Sequence, residues 1–329
     1  MAATAGLDRI ARGLTRDRGT LAALCLFVCI ALACAAAPWY AAHVSGTDPF
    51  RSTVNATVAL GGRSVEVVQE NPGGLGATPI GPTWRGAYLL GADMQGRDVV
   101  ARVLYGGRTS LLIAGSATAL CLVLATGLGT AAGFLGGAVD AVLAWLLDLL
   151  WAFPVYLLAV SLSIVLLSQD LRLGPFTLSS DSPALPVLIL GLVFVPYAAR
   201  PVRAQVVALR RAEFVEAAVA LGGAPGHILR RHVLPHVWPT VVLFAPVLMA
   251  MTLLTEAALS ALSIGVQPPG TSWGTLIADG LSLLYARPLV AIAPGVAVVL
   301  AVLSLNVLGE AAREALDPRA LDRARGEGR

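Results

Sequence analysis

Six stretches of this chain run for about twenty residues with almost no charge, long enough for a helix to cross a bilayer. They are Thr20 to Ala42, Thr109 to about Gly133, about Ala141 to Leu167, about Ala184 to Val202, about Val237 to Leu262, and Pro288 to Gly309. Lipid tolerates only segments whose backbone polar groups pair internally. The expected fold class is therefore an all-α polytopic membrane protein with six transmembrane helices. Only 13% of the 329 residues are charged and mean hydropathy is +0.76, about half the charge of a soluble domain. The expected segments are a tail at 1–19, the first helix at 20–42, an extramembrane segment at 43–106, a core of helices two to six at 107–310 with a polar loop at 204–235, and a tail at 311–329.

The runs differ in detail. The first ends in Trp39 and Tyr40, which suit the membrane interface. Basic residues followed by an apolar run also resemble a signal peptide, but this run is longer than usual and ends in Trp-Tyr, so a retained helix is expected. The second run is rich in Gly, Ala, Ser and Thr, which lets helices approach closely. The third carries Asp148 and a kink expected at Pro154; the fifth carries Glu256. Ionisable groups inside a membrane are candidates for function. Asp148 and Glu256 could line a translocation path or hydrogen-bond to a neighbouring helix, and Asn306 and Glu310, near the end of the sixth run, suit helix packing.

All 23 basic residues are Arg. Both termini and the loop after the fourth run hold most of them, including Arg9, Arg12, Arg200, Arg203, Arg210, Arg211, Arg230, Arg231, Arg313 and Arg323. Six spans put those three regions on one side, and the excess of Arg marks that side as cytoplasmic. Both ends are therefore expected inside.

Several chemistries have no support in the sequence. No basic stripe interleaved with aromatics points to nucleic acid. Cys25, Cys29, Cys34 and Cys121 lie inside apolar runs without metal spacing. Cys25 and Cys29 share a helical face too far apart for an easy disulfide. His227, His232 and His236 straddle a helix end and Pro235, so convergence on a metal is not expected. No Ser-His-acid set, paired acids or Gly-x-x-x-x-Gly-Lys-Ser/Thr phosphate loop occurs, so no enzyme is expected and no cofactor is expected on this chain.

The outer segment has β-prone stretches at Thr53 to Leu60 and Arg63 to Gln69, and Gly61-Gly62 between them suits a hairpin turn. A hairpin alone is marginal in water, so it should pack on the spans or on a partner. Asn71 to Pro82 reads as loop. Leu90 to Asp98 then leads into Val99, Val100, Val103 and Leu104 at helical spacing, with Asp98 and Arg102 placed to pair. This predicts a short interfacial helix, an elbow positioned by Asp93, Gly96, Arg97 and Asp98.

The inner loop is the most informative part. Ala204 to Leu221 can form one helix with Arg210 and Glu213 at pairing distance. Gly222-Gly223 ends it, and Pro225 can open a second short helix to about His232. The result is two helices joined at a glycine corner on the Arg-rich side. Ala217-Ala218 would let another surface approach closely; the alternative is a solvated loop.

The pattern Glu216-Ala217-Ala218, Gly222, Leu234-Pro235 resembles the EAA loop of bacterial ABC importer permeases, with His232 where Ile is usual. Arg231 to Pro235, Leu90 to Asp98, Asp148 to Pro154, Glu256 to Ser260, Gly265 to Pro269, Ser272 to Gly274 and Leu316 to Arg319 are similar to the dipeptide/oligopeptide/nickel branch, and most like its C-type permease. Ala92 stands where Thr is usual, and the outer segment is longer than expected. The resemblance implies type I importer permease architecture, a heterodimer with a second permease, two cytoplasmic ATPase subunits that bind ATP and Mg, and an extracytoplasmic solute-binding protein. It also implies that Glu213, Glu216, Ala217, Ala218, Gly222, Gly223, Ala224, Pro225, His227, Arg230 and Arg231 couple to the ATPase. The expected function is uptake of di- or oligopeptides or related solutes. The rival is a self-contained secondary transporter or channel, which would be built on inverted repeats with broken helices and would work without partners.

Overall fold

A computed structural model of the chain describes residues 17–60, 63–71, 76–84, 86–168, 171–173, 176–179 and 181–316. The expected Gly61-Gly62 turn, part of the 71–82 loop, the arginines before residue 17 and the Leu316 to Arg319 stretch lie wholly or partly outside those residues.

Twelve helices and three antiparallel two-stranded ribbons are described. Helix α1 is Arg18–Ala35, capped by the Asp17 carboxylate accepting from the Thr20 amide at 3.1 Å. After α2 (Ala37–Tyr40) and a widened turn at Ala41–Ser45, the chain enters a small β region. Strands β1 (Thr57–Leu60) and β2 (Arg63–Glu66) pair with Val58 opposite Val65, and β3 (Val68–Glu70) pairs with β4 (Ala77–Pro79). Val67, Ile80, Tyr88 and Ala92 form their shared core, the packing that a lone hairpin lacks.

Helix α3 is Val99–Leu135. Helices α4 (Gly137–Trp151) and α5 (Val155–Leu167) follow, meeting at 89° across Pro154. A short ribbon, β5 (Leu171–Leu173) with β6 (Phe176–Leu178), precedes α6 (Ala184–Val193) and α7 (Val195–Arg210), which meet at 43°. Then come α8 (Glu213–Ala220), α9 (Pro225–Ile228), a widened turn at Leu229–Val233 and α10 (Leu234–Ala261). Helix α11 (Trp273–Leu281) starts on a reciprocal Ser272/Thr275 cap, and α12 (Leu289–Leu316) closes the bundle. Among the described residues, four helices are long and apolar enough to cross a membrane, or six if each bent pair is one span.

Small residues set the packing. Ile113, Ala117, Cys121 and Ala125 recur every four residues along α3 and are buried with Ile189, Leu190, Ala198 and Ala199. Gly129 and Gly133 continue that row. A Cβ on Gly129 would stand 2.6 Å from the Ala199 carbonyl, and one on Gly133 2.8 Å from that of Arg203. The two backbones are thus nearly in contact, and only Gly fits between them. On the next face, the Thr118 and Thr252 hydroxyls sit 3.1 Å apart and join α3 to α10.

Four local expectations are corrected. The stretch Asn71 to Pro82 is not loop throughout, because Ala77–Pro79 pair as β4 with β3. The interfacial helix is not separate: α3 runs unbroken from Val99 through residue 106. Its Gly106 and Gly107 lie under Ser272 and Trp273, with a Cβ on Gly107 falling 2.5 Å from the Trp273 ring. The single helix Ala204–Leu221 is broken, because Ala212 is extended (φ −79°, ψ 139°), which swings Val215 into a buried valine cluster. The second short helix does not stop near His232. It continues through the widened turn into α10, so residues Pro225–Ala261 form one run.

Candidate functional site

The loop between α7 and α10 has two unlike faces. Its underside is packed: Val215 and Ile228 are buried with Val202, Val206, Val233, Val237 and Val241. Its far side is open. Phe214, Val219 and Leu221 are 42%, 59% and 89% exposed. Around them Glu213, Glu216, Ala217, Gly222, Ala224, Pro225, His227, Arg230 and Arg231 are exposed, with Ala218 and Gly223 partly covered. Glu213 and Glu216 occupy the first turn of α8, where negative charge suits the helix dipole.

The corner has the hydrogen bonds of a left-handed helix stop. Gly223 N–H donates to the Ala218 carbonyl at 3.0 Å and Gly222 N–H to that of Val219 at 2.9 Å. Gly222 has φ +79°, which suits Gly. Gly223 is needed for space, since a Cβ there would be 2.8 Å from the Ala218 oxygen. Ala224 is extended, and Pro225 opens α9 with its φ pre-set for a helix. The Gln205 amide donates to the His236 carbonyl at 2.8 Å, and the Phe214 and His236 rings lie 5.1 Å apart. The corner is therefore fixed to the ends of α7 and α10.

The expected Arg210–Glu213 pair is replaced. Arg210 donates to the Gly133 carbonyl at 3.3 Å, because the break at Ala212 turns α8 away from α7. Two further arginines of α7 reach α4. Arg203 binds Asp140 through two hydrogen bonds, one of 2.7 Å, and Arg200 meets Asp148 at 2.6 Å while lying over the Trp151 ring. Asp148 is thus level with the arginine end of α7 and 67% exposed. Asp140 escaped the sequence reading, although a lone acid just after Gly136-Gly137 was a usable signal.

Glu256 is buried and accepts from the Ser260 hydroxyl at 2.7 Å, while its Oε2 has no partner among the described residues. Asn306 is exposed on α12. Glu256 is thus interior, whereas Asn306 and Asp148 are exposed.

At the opposite end, the elbow residues converge. Asp93 binds the Arg97 Nε and Arg102 Nη1 at 2.8 and 2.6 Å, and Arg102 also reaches Asp279 of α11 at 2.9 Å. Burial and the adjacent Arg102 pull Arg97 below its ordinary pKa, against the attraction of Asp93. The expected Asp98–Arg102 pair does not form. Asp98 is fully buried and caps α3, accepting from the Ala101 and Tyr88 amides and the Ser45 hydroxyl. Gly96 has φ +73°, and a Cβ there would be 2.6 Å from the Thr53 carbonyl. That contact docks the start of the β region on the elbow.

Comparison with known proteins gives the chain a family. Residues 125–322 match the model for the binding-protein-dependent transport system inner membrane component. The glutathione transport system permease protein GsiD of Pectobacterium atrosepticum is 34% identical over 233 residues, 71% of this chain and 73% of that protein. The dipeptide transport system permease protein DppC of Alkalihalophilus pseudofirmus is 32% identical over 232 residues, 70% and 72% of the two chains. Among solved structures, a chain of the MetNI methionine ABC transporter in an inward-facing conformation aligns with TM-score 0.51 at 17% identity, covering 65% of this chain and 96% of that one. This last likeness is one of fold.

Proposed function

Because the chain belongs to the family of binding-protein-dependent transport system inner membrane components, we propose that it forms half of the translocation pathway of an ATP-driven importer of short peptides. A second permease forms the other half. Two cytoplasmic ATPase subunits drive the pair, and an extracytoplasmic protein delivers the solute. The termini and the α8–α9 loop face the cytoplasm. The substrate class rests on relatives named for dipeptide and glutathione transport.

One observation carries the mechanism: an exposed apolar rim, Phe214, Val219 and Leu221, on a loop whose underside is locked into the bundle. Such a rim at the arginine-rich end suits a protein partner better than lipid or water. The chain has no phosphate loop, so the ATPase subunits supply hydrolysis. When they close, they carry the α8–α9 corner with them. The corner is joined to α7 by the extended Ala212 and to α10 by a continuous helical run, so its displacement tilts both. Nucleotide shifts the pathway between outward- and inward-facing states only through contacts that differ between those states.

The test is affinity purification of the tagged chain from its native membrane in mild detergent, followed by mass spectrometry. A sister permease and ATPase subunits should copurify, and Leu221→Asp should deplete the ATPases while retaining the permease. Uptake of solute by liposomes holding this chain alone would instead support the secondary-transporter reading.

A further inference from the structure

A cavity of about 510 Å³ opens at the elbow end, between the ion cluster, the loop after α10 and one face of α11. That volume falls in the range of small-molecule sites. We propose that it is a binding site for a short zwitterionic peptide on the outer face, distinct from the α8–α9 loop; the outer placement and the peptide class rest on the function proposed above.

Three features point to that ligand. First, Arg97 lines the cavity and is 9% exposed, and with its Nε and Nη2 on Asp93 its Nη1 has no partner among the described residues. A buried guanidinium N–H left unpaired is costly, and a carboxylate or carbonyl oxygen would satisfy it. Second, Asp279 meets both arginines through Oδ2 and its side chain is 45% exposed, so Oδ1 keeps lone pairs for an ammonium or amide N–H. Third, the charges already balance: Arg97 and Arg102 face Asp93 and Asp279. A neutral dipolar molecule fits such a wall without leaving an excess charge, whereas a simple anion or cation unbalances it. Phe50, Val266 and Pro268 supply an apolar surface for a peptide side chain. The donor and the acceptor lie on one connected ion cluster, so carboxylate and ammonium ends are read together.

The experiment uses the full permease–ATPase complex in nanodiscs, without binding protein or nucleotide, and a radiolabelled Ala-Phe dipeptide. Saturable binding is expected. Ala278→Phe, which fills one wall from α11, should weaken it by about tenfold or more, as should capping both ends of the probe by acetylation and amidation. Gln95→Trp at the lining is the second variant, used because the Gln95 side chain is exposed and only its backbone carbonyl holds Ser52 and Thr53. Unchanged binding in both variants, equal binding of the capped probe, or no saturable binding by wild type overturns the inference. The two readings fail separately. Dipeptide uptake without binding here removes only this site, and uptake of another solute class by a complex that still binds the dipeptide removes only the proposed cargo.

Discussion

Gly222 is the position at which the loop's geometry can be challenged most sharply. Its φ of +79° lies in the left-handed region, and an added Cβ would meet nothing within 4 Å. Gly222→Ala therefore carries a conformational cost alone, about 1–2 kcal/mol, or roughly a 5- to 30-fold loss in the equilibrium that holds the corner closed. Gly222→Asn should recover part of this, since Asn tolerates that region. Gly222→Pro cannot adopt the corner, because its ring fixes φ near −65°, and it deletes the N–H that donates to Val219. Hydrogen exchange at the Gly223 amide reads the corner directly, and uptake by proteoliposomes containing the ATPases reads its consequence. Protection at Gly223 should fall by the same 5- to 30-fold in the Ala variant, and uptake should decline in the order wild type, Asn, Ala, Pro at equal insertion. Wild-type uptake by Gly222→Pro would refute the idea that the corner transmits force.

Other expectations follow from particular contacts. Arg203→Gln and Asp140→Asn should each lower stability by about 0.2–1 kcal/mol, and the double variant should be no worse than the poorer single one; additive losses in thermal unfolding would contradict the ion pair. Gly133→Leu should cost about 1–3 kcal/mol by forcing α3 away from Arg203 and Val206, while Gly127→Leu, with open space around it, should leave the unfolding temperature nearly unchanged. Glu256→Gln keeps an acceptor for Ser260 and should retain both fold and uptake, whereas Glu256→Ala should lose about 1–3 kcal/mol. Abolished uptake in a stable Gln variant would instead assign the carboxylate a direct part in transport.

Short-range chemistry was legible in the chain and long-range pairing was not. Small residues every four positions from Ala117 to Gly133 announced a close helix contact, and Pro154 announced the bend that follows α4. Gly222-Gly223 before Pro225 announced the corner. By contrast, nothing near Arg102 points to Asp279, 177 residues away, nor near Asp140 to Arg203, 63 residues away. Asp98 looked like a surface partner for Arg102, but the same side chain also fits a helix cap, and burial decided in favour of the cap. The break at Arg211–Ala212 has neither Gly nor Pro; it exists because Val215 and Ile228 are buried in one cluster, a tertiary demand invisible in local propensity. The extent of the elbow helix failed for a related reason, since Gly106-Gly107 serve the Trp273 contact and do not end α3.

The central claim is that the α8–α9 corner faces the cytoplasm and the ATPase subunits. A single Cys at Leu221 or Arg230, placed in a background lacking the four native cysteines, can be exposed to a membrane-impermeant thiol reagent in membrane vesicles of both orientations. Labelling confined to inside-out vesicles, and blocked when the ATPase subunits are bound, is the expected result. Labelling of right-side-out vesicles, or equal labelling with and without the ATPases, would contradict the account.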